Sequence, residues 1–424
     1  MYFLKNVNIV GFWGTRSINL KFKEHSNFLI GINGSGKTTL VNLIVSALEG
    51  DFENLINSDF SEIIINLKKD GSTKVASLKI TKNMDSLRYY FRQSAKDSYI
   101  DFLIDELQEF YRYPMHFRRE GRRISKHLVK SQMSKLFNLS WLSIHRTTTD
   151  FREIKERYES SIDLKLDELS NDLVRLFSFY NQRITTEIDQ FQKQVFLSLL
   201  YKREKQDSLV DTFLKLDSKK EKEALESIFK QFNLDIESSD LKAKINNHFT
   251  AFDKAKSRLI GNNAINLTEF SVLFGTDRID FIVEKWNEHL TKKKIIEEPK
   301  HKFLNILNSM MQRKNFYINK RNELEIETQS GKNLSLKQLS SGEKQLLIIL
   351  GEAFLQEGKR FIYFADEPEL SLHVFWQEHL VQHLKQLNPN AQIIFATHSP
   401  DIVSCFGENI IDMEQIITEN EVRS

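Results

Sequence analysis

Two short stretches of the chain bring together residues suited to phosphate chemistry. The apolar run Phe361–Ala365 reads as a buried strand, and it stops on Asp366, Glu367, Pro368 and Glu369. Adjacent carboxylates at a strand end are costly to desolvate unless a cation or a proton transfer uses them. The plain alternative is a solvated exit from a sheet. The second stretch, Gly31-Ile-Asn-Gly-Ser-Gly-Lys-Thr38, fits G-x-x-x-x-G-K-[ST] in full, with an apolar strand (Asn27–Ile30) before it and an apolar helix (Leu40–Leu48) after it. That context suits a phosphate cradle. Backbone N–H groups of Asn33, Gly34, Ser35 and Gly36 turn inward, the helix N-terminus adds its dipole, and Lys37 supplies a point charge to the β- and γ-phosphates. Thr38 can ligate Mg²⁺, and Thr39 is expected near the α-phosphate. With a nucleotide so held, the two acids have separate tasks. Asp366 holds Mg²⁺, directly or through water, and Glu367 polarises the water that attacks the γ-phosphorus. Glu369 is left as structural or interfacial.

The elements that must position these residues fall into three sections. Residues 1–150 have α/β texture: Tyr2–Val10 and Ser17–Phe22 pair across the Gly11–Gly14 turn, and Ile63–Leu67 with Val75–Ile80 reads as a hairpin. Residues 151–314 are helical. Leu173, Phe177, Tyr180, Ile184, Ile188, Phe191 and Val195 cover 22 residues in six steps, a period of about 3.7. Asn233–Asp240 reads as a break, with further helices over Leu241–Leu259 and Asp280–Met311. Such a section serves either as a lever or docking arm, or as a packed insertion that shields a core. Residues 315–424 return to α/β: strands at Phe316–Asn319, Glu323–Glu327 and Leu334–Leu336, the loop and helix LSSGEKQLLIILGEAFLQ, the acidic strand, a helix over Trp376–Leu387, and a strand Gln392–Thr397 ending on His398. One nucleotide-type fold is thus split around a helical insertion.

Bulk properties narrow the function classes. The chain has 424 residues, 40% hydrophobic and 28% charged, with net charge +2. There is no protein-wide basic field for nucleic acid. Cys405 is the sole cysteine, which excludes an intrachain disulfide and suits a reducing cytoplasm. No apolar run is long enough to span a bilayer, and the first residues lack a secretory leader's apolar core.

The order GINGSGKT, LSSGE, FIYFADE, ELSLH, FATHSP resembles the ABC-type ATPases: Walker A, signature, Walker B with its catalytic acid, D-loop and switch histidine. The resemblance covers roughly residues 1–150 and 315–400. It implies an ABC-type P-loop ATPase head, a mixed sheet with flanking helices, split by a helical or coiled-coil insertion. It further implies ATP and Mg²⁺ as ligands and a head-to-tail homodimer at minimum, with higher assemblies expected. In that arrangement Ser340, Ser341 and Gly342 of one copy meet the γ-phosphate held by another. His398 contacts that phosphate and the attacking water, and Ser371 and His373 lie at the junction. Physically, Ser340–Glu343 at a helix start offers an anion site; it can equally be an N-cap, and His398 a capped strand end. Within the superfamily the split head resembles the SMC, RecF and OLD group, with DEPELSLH and ATHSPDIV closest to OLD heads. Residues 399–424 leave no room for the Toprim domain of OLD nucleases. The lone head is therefore similar to the ATPase components of two-gene anti-phage systems, AriA of PARIS and, less closely, PtuA of Septu. Their partners are a Toprim or an HNH nuclease, and a phage-encoded trigger is implied. The family's glutamine between Walker A and signature has no clear counterpart: His145, Arg146 and Thr147 follow the Leu139–Ile144 strand, and Gln132 precedes it.

The run HFRREGRRISKHLVK carries Arg118, Arg119, Arg122 and Arg123, candidates for contact with nucleic acid or an acidic partner and equally suited to a solvated face. Lys292–Lys294 has the same ambiguity. Three functions follow for comparison. The first is an ATPase that holds and releases a toxic effector. The second is a DNA-maintenance ATPase of the SMC/RecF kind. The third is a transporter energy subunit, for which the insertion has no use.

Overall fold

The computed structural model describes residues 1–83, 86–106, 133–142, 161–198, 216–232, 239–261, 263–404 and 406–419. It divides into two compact units, Met1–Arg175 with Lys302–Ser424, and Leu176–His301.

In the first unit the N-terminal strand β1 (Tyr2–Phe12) alternates buried and outward residues, and it turns through Gly11–Gly14 into β2 (Arg16–Lys21). The strands β4 (Glu62–Lys69), β5 (Val75–Lys82), β6 (Ser86–Arg92) and β7 (Ile100–Glu106) continue an antiparallel meander. With β15 (Ile417–Glu419) they form a seven-stranded sheet in the order β15-β2-β1-β4-β5-β6-β7. The strands β6, β7 and β15 go beyond what the sequence pattern predicts.

A second sheet is wholly parallel. Its strands are β3 (Ser26–Ile30), β8 (Asn138–Leu142), β12 (Phe361–Asp366), β13 (Gln392–Ala396) and β14 (Ile410–Asp412), in the order β14-β3-β13-β12-β8. Every residue of β13 is buried, as expected for a parallel strand covered on both faces. Helix α1 (Lys37–Glu49) buries Leu40, Val41, Ile44, Ala47 and Leu48, and the short α2 (Phe52–Ile56) buries Phe52 and Leu55, in a core that includes residues of both sheets. Because β3, β12 and β13 run the same way, the loops that follow them leave from one edge, where ligands bind in open α/β sheets.

At the other end of β13 the two sheets are stitched by one side chain. Gln392 is fully buried; its Oε1 accepts from the Leu4 N–H at 2.8 Å, and its Nε2 donates to the carbonyls of Leu4 and Lys23, each at 2.8 Å. Leu4 lies where the β1–β4 register slips, so a side-chain amide supplies partners that the ladder does not.

Helix α7 (Ser341–Leu355) in the same unit buries most of its apolar residues. A small sheet of β9 (Lys314–Ile318), β10 (Leu324–Thr328) and β11 (Asn333–Leu334) precedes it. Helix α3 (Ser161–Ser198) meets α7 through the Lys344–Asp163 ion pair at 2.8 Å, and Gly351 lets Leu169 approach so closely that a Cβ would collide with it.

The second unit is helical. It contains α4 (Ser218–Gln231) and α5 (Ser239–Ile260), with parts of α3 and of α6 (Leu267–Met310). Phe191, Ile228, Val283 and Trp286 form one core, and Leu216, Phe252, Ala255 and Leu273 another. On α3 the periodic residues Leu173, Phe177, Tyr180 and Phe191 are buried, so the stripe is a packing face. Helix α6 begins at Leu267 rather than Asp280 and continues through Gly275 and Pro299. Lys292 pairs with Glu187 at 2.8 Å, so one cation of the 292–294 run is spent on packing within the unit. Among the described residues, no helix is long and apolar enough to cross a membrane.

Replacing Gln392 by Met keeps the volume and removes every partner. Each buried backbone group left unpaired costs about 1–3 kcal/mol, so Gln392→Met is expected to lower the unfolding free energy by about 3 kcal/mol in urea titrations. An unchanged midpoint would show that Leu4 and Lys23 find other partners.

Candidate functional site

The site grows from the sheet edge. After β3 the chain turns through Gly31–Gly36 before helix α1 begins at Lys37. Gly34 and Gly36 have φ of 84° and 91°, values that favour glycine. A side chain on Gly36 would strike the Trp13 ring, which lies against it from the β1–β2 turn, whereas Gly34 faces open space. Arg16 sits over the same Trp13 ring at 5.5 Å. Asn33, Gly34 and Thr39 are exposed, and the Ser35 hydroxyl is buried without a hydrogen-bond partner.

Lys37 is only 4% exposed, and its ammonium donates to the carbonyls of Gly31 at 2.8 Å and Ile32 at 3.2 Å. Burial lowers its pKa, and the carboxylates of Glu367, Asp366 and Glu369 oppose that shift. The lysine is therefore folded back on its own loop in a field of three acids.

Two pairings join this loop to the far end of the sequence. The Thr38 hydroxyl donates to Asp366 Oδ1 at 3.1 Å across 328 positions of chain. Glu367 then turns at φ 48°, a left-handed conformation rare for a side-chain-bearing residue, with its N–H donating to the Ala396 carbonyl at 2.8 Å. Its Oε1 stands 3.6 Å from Nε2 of His398. Glu369 is buried, and its Oε1 accepts from the Thr397 hydroxyl and the His398 N–H, each at 2.7 Å, and from the Ser399 N–H at 3.2 Å. The sequence leaves Glu369 only as structural or interfacial, and these partners come to it from the end of β13, 28 to 30 positions away.

The SSGE segment is found elsewhere in the same unit. Ser340 caps α7 in a reciprocal capping box: its Oγ accepts from the Glu343 N–H at 3.4 Å, and Glu343 Oε2 accepts from the Ser340 N–H and hydroxyl, both at 2.9 Å. Burial pushes the Glu343 carboxyl up, but the Lys314 ammonium and the Ser340 donors outweigh it, and the pKa is lowered. Ser341 is exposed on the first turn. Gly342 is buried hard against the carbonyl of Ser371, a residue with φ 65°, and the neighbouring Gln345 Nε2 donates to the Pro368 carbonyl at 3.0 Å. His373 caps helix α8 (Val374–Leu387) through Nδ1, which accepts from the Phe375 N–H at 3.2 Å.

The structure thus brings Thr38, Lys37, Asp366, Glu367 and His398 to one sheet edge, while Ser340 and Gly342 make their contacts with Glu343 and Ser371. Arg118, Arg119, Arg122 and Arg123 lie outside the described residues, as do Gln132, His145, Arg146 and Thr147.

Known proteins resemble the chain in the following ways. The family model described as "AAA ATPase domain" matches residues 1–403. A curated protein of Vibrio cholerae serotype O1 biovar El Tor, named "Retron Vc95 probable ATPase", is 23% identical over 440 residues, which span 99% of this chain and 74% of that protein. Among solved structures, the Smc head domain with an extended coiled coil from Pyrococcus furiosus, bound to the C-terminal domain of ScpA, aligns at TM-score 0.40 and 16% identity, covering 97% of this chain and 93% of its own. The Smc head domain with a coiled coil and joint from Pyrococcus yayanosii aligns at TM-score 0.40 and 15% identity, covering 97% and 95%.

A methyl group on Gly342 would meet backbone rather than a movable side chain. Gly342→Ala is expected to cost about 2 kcal/mol of stability, in the range for forced overpacking. The exposed neighbour change Ser341→Ala should stay within about 0.5 kcal/mol. Thermal unfolding of both variants checks the pair, and equal melting temperatures would refute the close fit.

Proposed function

The chain belongs to the AAA ATPase domain family, and from that premise we propose that it binds and hydrolyses ATP with Mg²⁺ at the edge of the parallel sheet. The observation that carries this reading is the meeting of Thr38 and Asp366, a hydroxyl and a carboxylate at 3.1 Å beside the Gly31–Gly36 turn. Two hard oxygen donors next to a phosphate cradle suit a cation that completes its shell with phosphate oxygens and water. The buried, unpartnered Ser35 hydroxyl fits the same cradle. When bound, Mg²⁺ would neutralise charge on the β- and γ-phosphates, with Thr38 and Asp366 as its protein ligands.

The chain's own residues then divide the work. Lys37 exchanges the carbonyls of Gly31 and Ile32 for phosphate oxygens. Glu367 takes a proton from water as that water's oxygen bonds to the γ-phosphorus and the bond to the ADP oxygen breaks. His398, beside Glu367, orients the water and the γ-phosphate. Two copies close head to tail. Each offers the start of α7, where Ser340 and Ser341 are exposed and Gly342 lies beneath them, to the phosphate on the other, and Ser371 and His373 lie at the seam. The Ser340 hydroxyl must leave Glu343 to donate there. Nucleotide state sets the geometry of the pair and so holds or releases a separate effector chain. Likeness to a protein named as a retron ATPase and resemblance to two-gene anti-phage ATPases support this. A nuclease of Toprim type, as in AriA-containing systems, is the finer form of the proposal.

Glu367→Gln is expected to keep ATP affinity within a few-fold and to slow turnover by roughly 10²-fold or more, while Lys37→Ala weakens binding about tenfold or more through loss of a charged hydrogen-bond donor. Direct ATP binding and phosphate release measure both. Unchanged turnover in Glu367→Gln would overturn the assignment of the water-activating group.

A further inference from the structure

We propose that Glu369 is a positioning residue for the hydrolytic step: its buried carboxylate fixes the backbone of residues 397–399 and so sets where the His398 imidazole stands beside Glu367. The inference rests on the role given to His398 above.

Strand β13 ends at Ala396, and beyond it the N–H groups of His398 and Ser399 have no ladder to join. Both converge on Glu369 Oε1, at 2.7 and 3.2 Å, together with the Thr397 hydroxyl at 2.7 Å; the Ser399 N–H is shared with the Thr397 hydroxyl oxygen at 3.0 Å. Successive N–H groups closing on one anion form a nest, and hydrogen bonds to a charged acceptor are about twice as strong as neutral ones. Thr397 is fully buried and Glu369 is 9% exposed, so water does not replace these bonds readily.

The acid's own base is firm. The Leu372 N–H donates to the Glu369 carbonyl at 2.9 Å, and the preceding Pro368 carbonyl accepts from the buried Gln345 amide. Downstream, Ser399 Oγ donates to Gln377 Oε1 at 2.6 Å, and Gln377 Nε2 donates to the Leu372 carbonyl at 2.8 Å. The segment bearing His398 is therefore held by the acidic loop and the start of α8. The bonded oxygen is Oε1 alone; Oε2 is buried and has no hydrogen bond.

That asymmetry separates position from charge. Glu369→Gln keeps an acceptor at Oε1, breaks no bond at Oε2 and removes the charge. Glu369→Asp keeps the charge and withdraws the acceptor by one methylene. If Glu369 acts by placing His398, Glu369→Asp lowers kcat by roughly 10²-fold, as misplacement near 1 Å can, with KM for ATP within about threefold, and Glu369→Gln stays near the unaltered rate. The His398→Ala variant lowers kcat similarly, and Glu369→Asp adds no further loss in that background, since coupled residues are non-additive.

The experiment uses the full chain with ATP and Mg²⁺. It reads kcat, KM and direct ATP affinity for the unaltered protein, the three single variants and the Asp/Ala double variant, each with its unfolding curve. Reversed ranking, with Glu369→Gln impaired and weak in ATP binding, would show that the charge acts on Lys37 and the phosphates, and would overturn the proposal. So would losses that multiply in the double variant. Full turnover in His398→Ala would instead remove His398 from the reaction; this failure of the parent reading is distinct, because it shows in a chain with Glu369 intact.

Discussion

Parallel pairing of β3, β13 and β12 is the constraint on which the rest depends. Once three strands run the same way side by side, their following loops leave from a common edge whatever their separation in sequence. The Gly31–Gly36 turn, the Asp366–Glu369 loop and the His398 segment meet for that reason alone. Strand β13 lies between the other two, and it is held at both ends by single polar side chains. Gln392 bonds the backbone of β1 and Lys23 at its start, and Glu369 gathers the N–H groups at its exit. Each is buried and each has several partners, so neither can move without exposing unpaired backbone groups.

The acidic loop is correspondingly crowded. Asp366 bonds Thr38, Glu367 sits by His398, Pro368 receives the Gln345 amide, Glu369 carries the 397–399 backbone, and Ser371 presses on Gly342. Five of the six positions from Asp366 to Ser371 therefore link the Gly31–Gly36 turn, the histidine segment and the start of α7 within one unit. Positive φ at Glu367 and Ser371 is the local strain that this density of contacts maintains. A displacement at any one of these partners has a short covalent route to the others.

The helical unit obeys simpler rules. Its helices are amphipathic, and its cores are built from Phe191, Ile228, Val283 and Trp286 and from Leu216, Phe252, Ala255 and Leu273. The early start of α6 has a local cause. Glycine in a helix interior costs about 1 kcal/mol, and Gly275 disguises the pattern, but burial of Leu273 two residues earlier offsets it.

The amino-acid order by itself determined the Gly31–Gly36 turn, because its glycine spacing is a backbone requirement written in local sequence. It also determined the acidic strand end, the hairpin β1–β2 and the periodic face of α3, all of which depend on neighbours within a few residues. Only the tertiary structure decided that Thr38 faces Asp366, that Ser371 presses on Gly342, and that Trp13 covers Gly36. These are contacts between segments whose approach is set by strand order and packing. Glu369 marks the boundary most clearly. Its sequence shows a third carboxylate after a proline, and nothing local distinguishes a solvated acid from a buried one. The distinction arises when β13 ends beside it and leaves the His398 N–H to the buried anion, with the Ser399 N–H shared between that anion and Thr397.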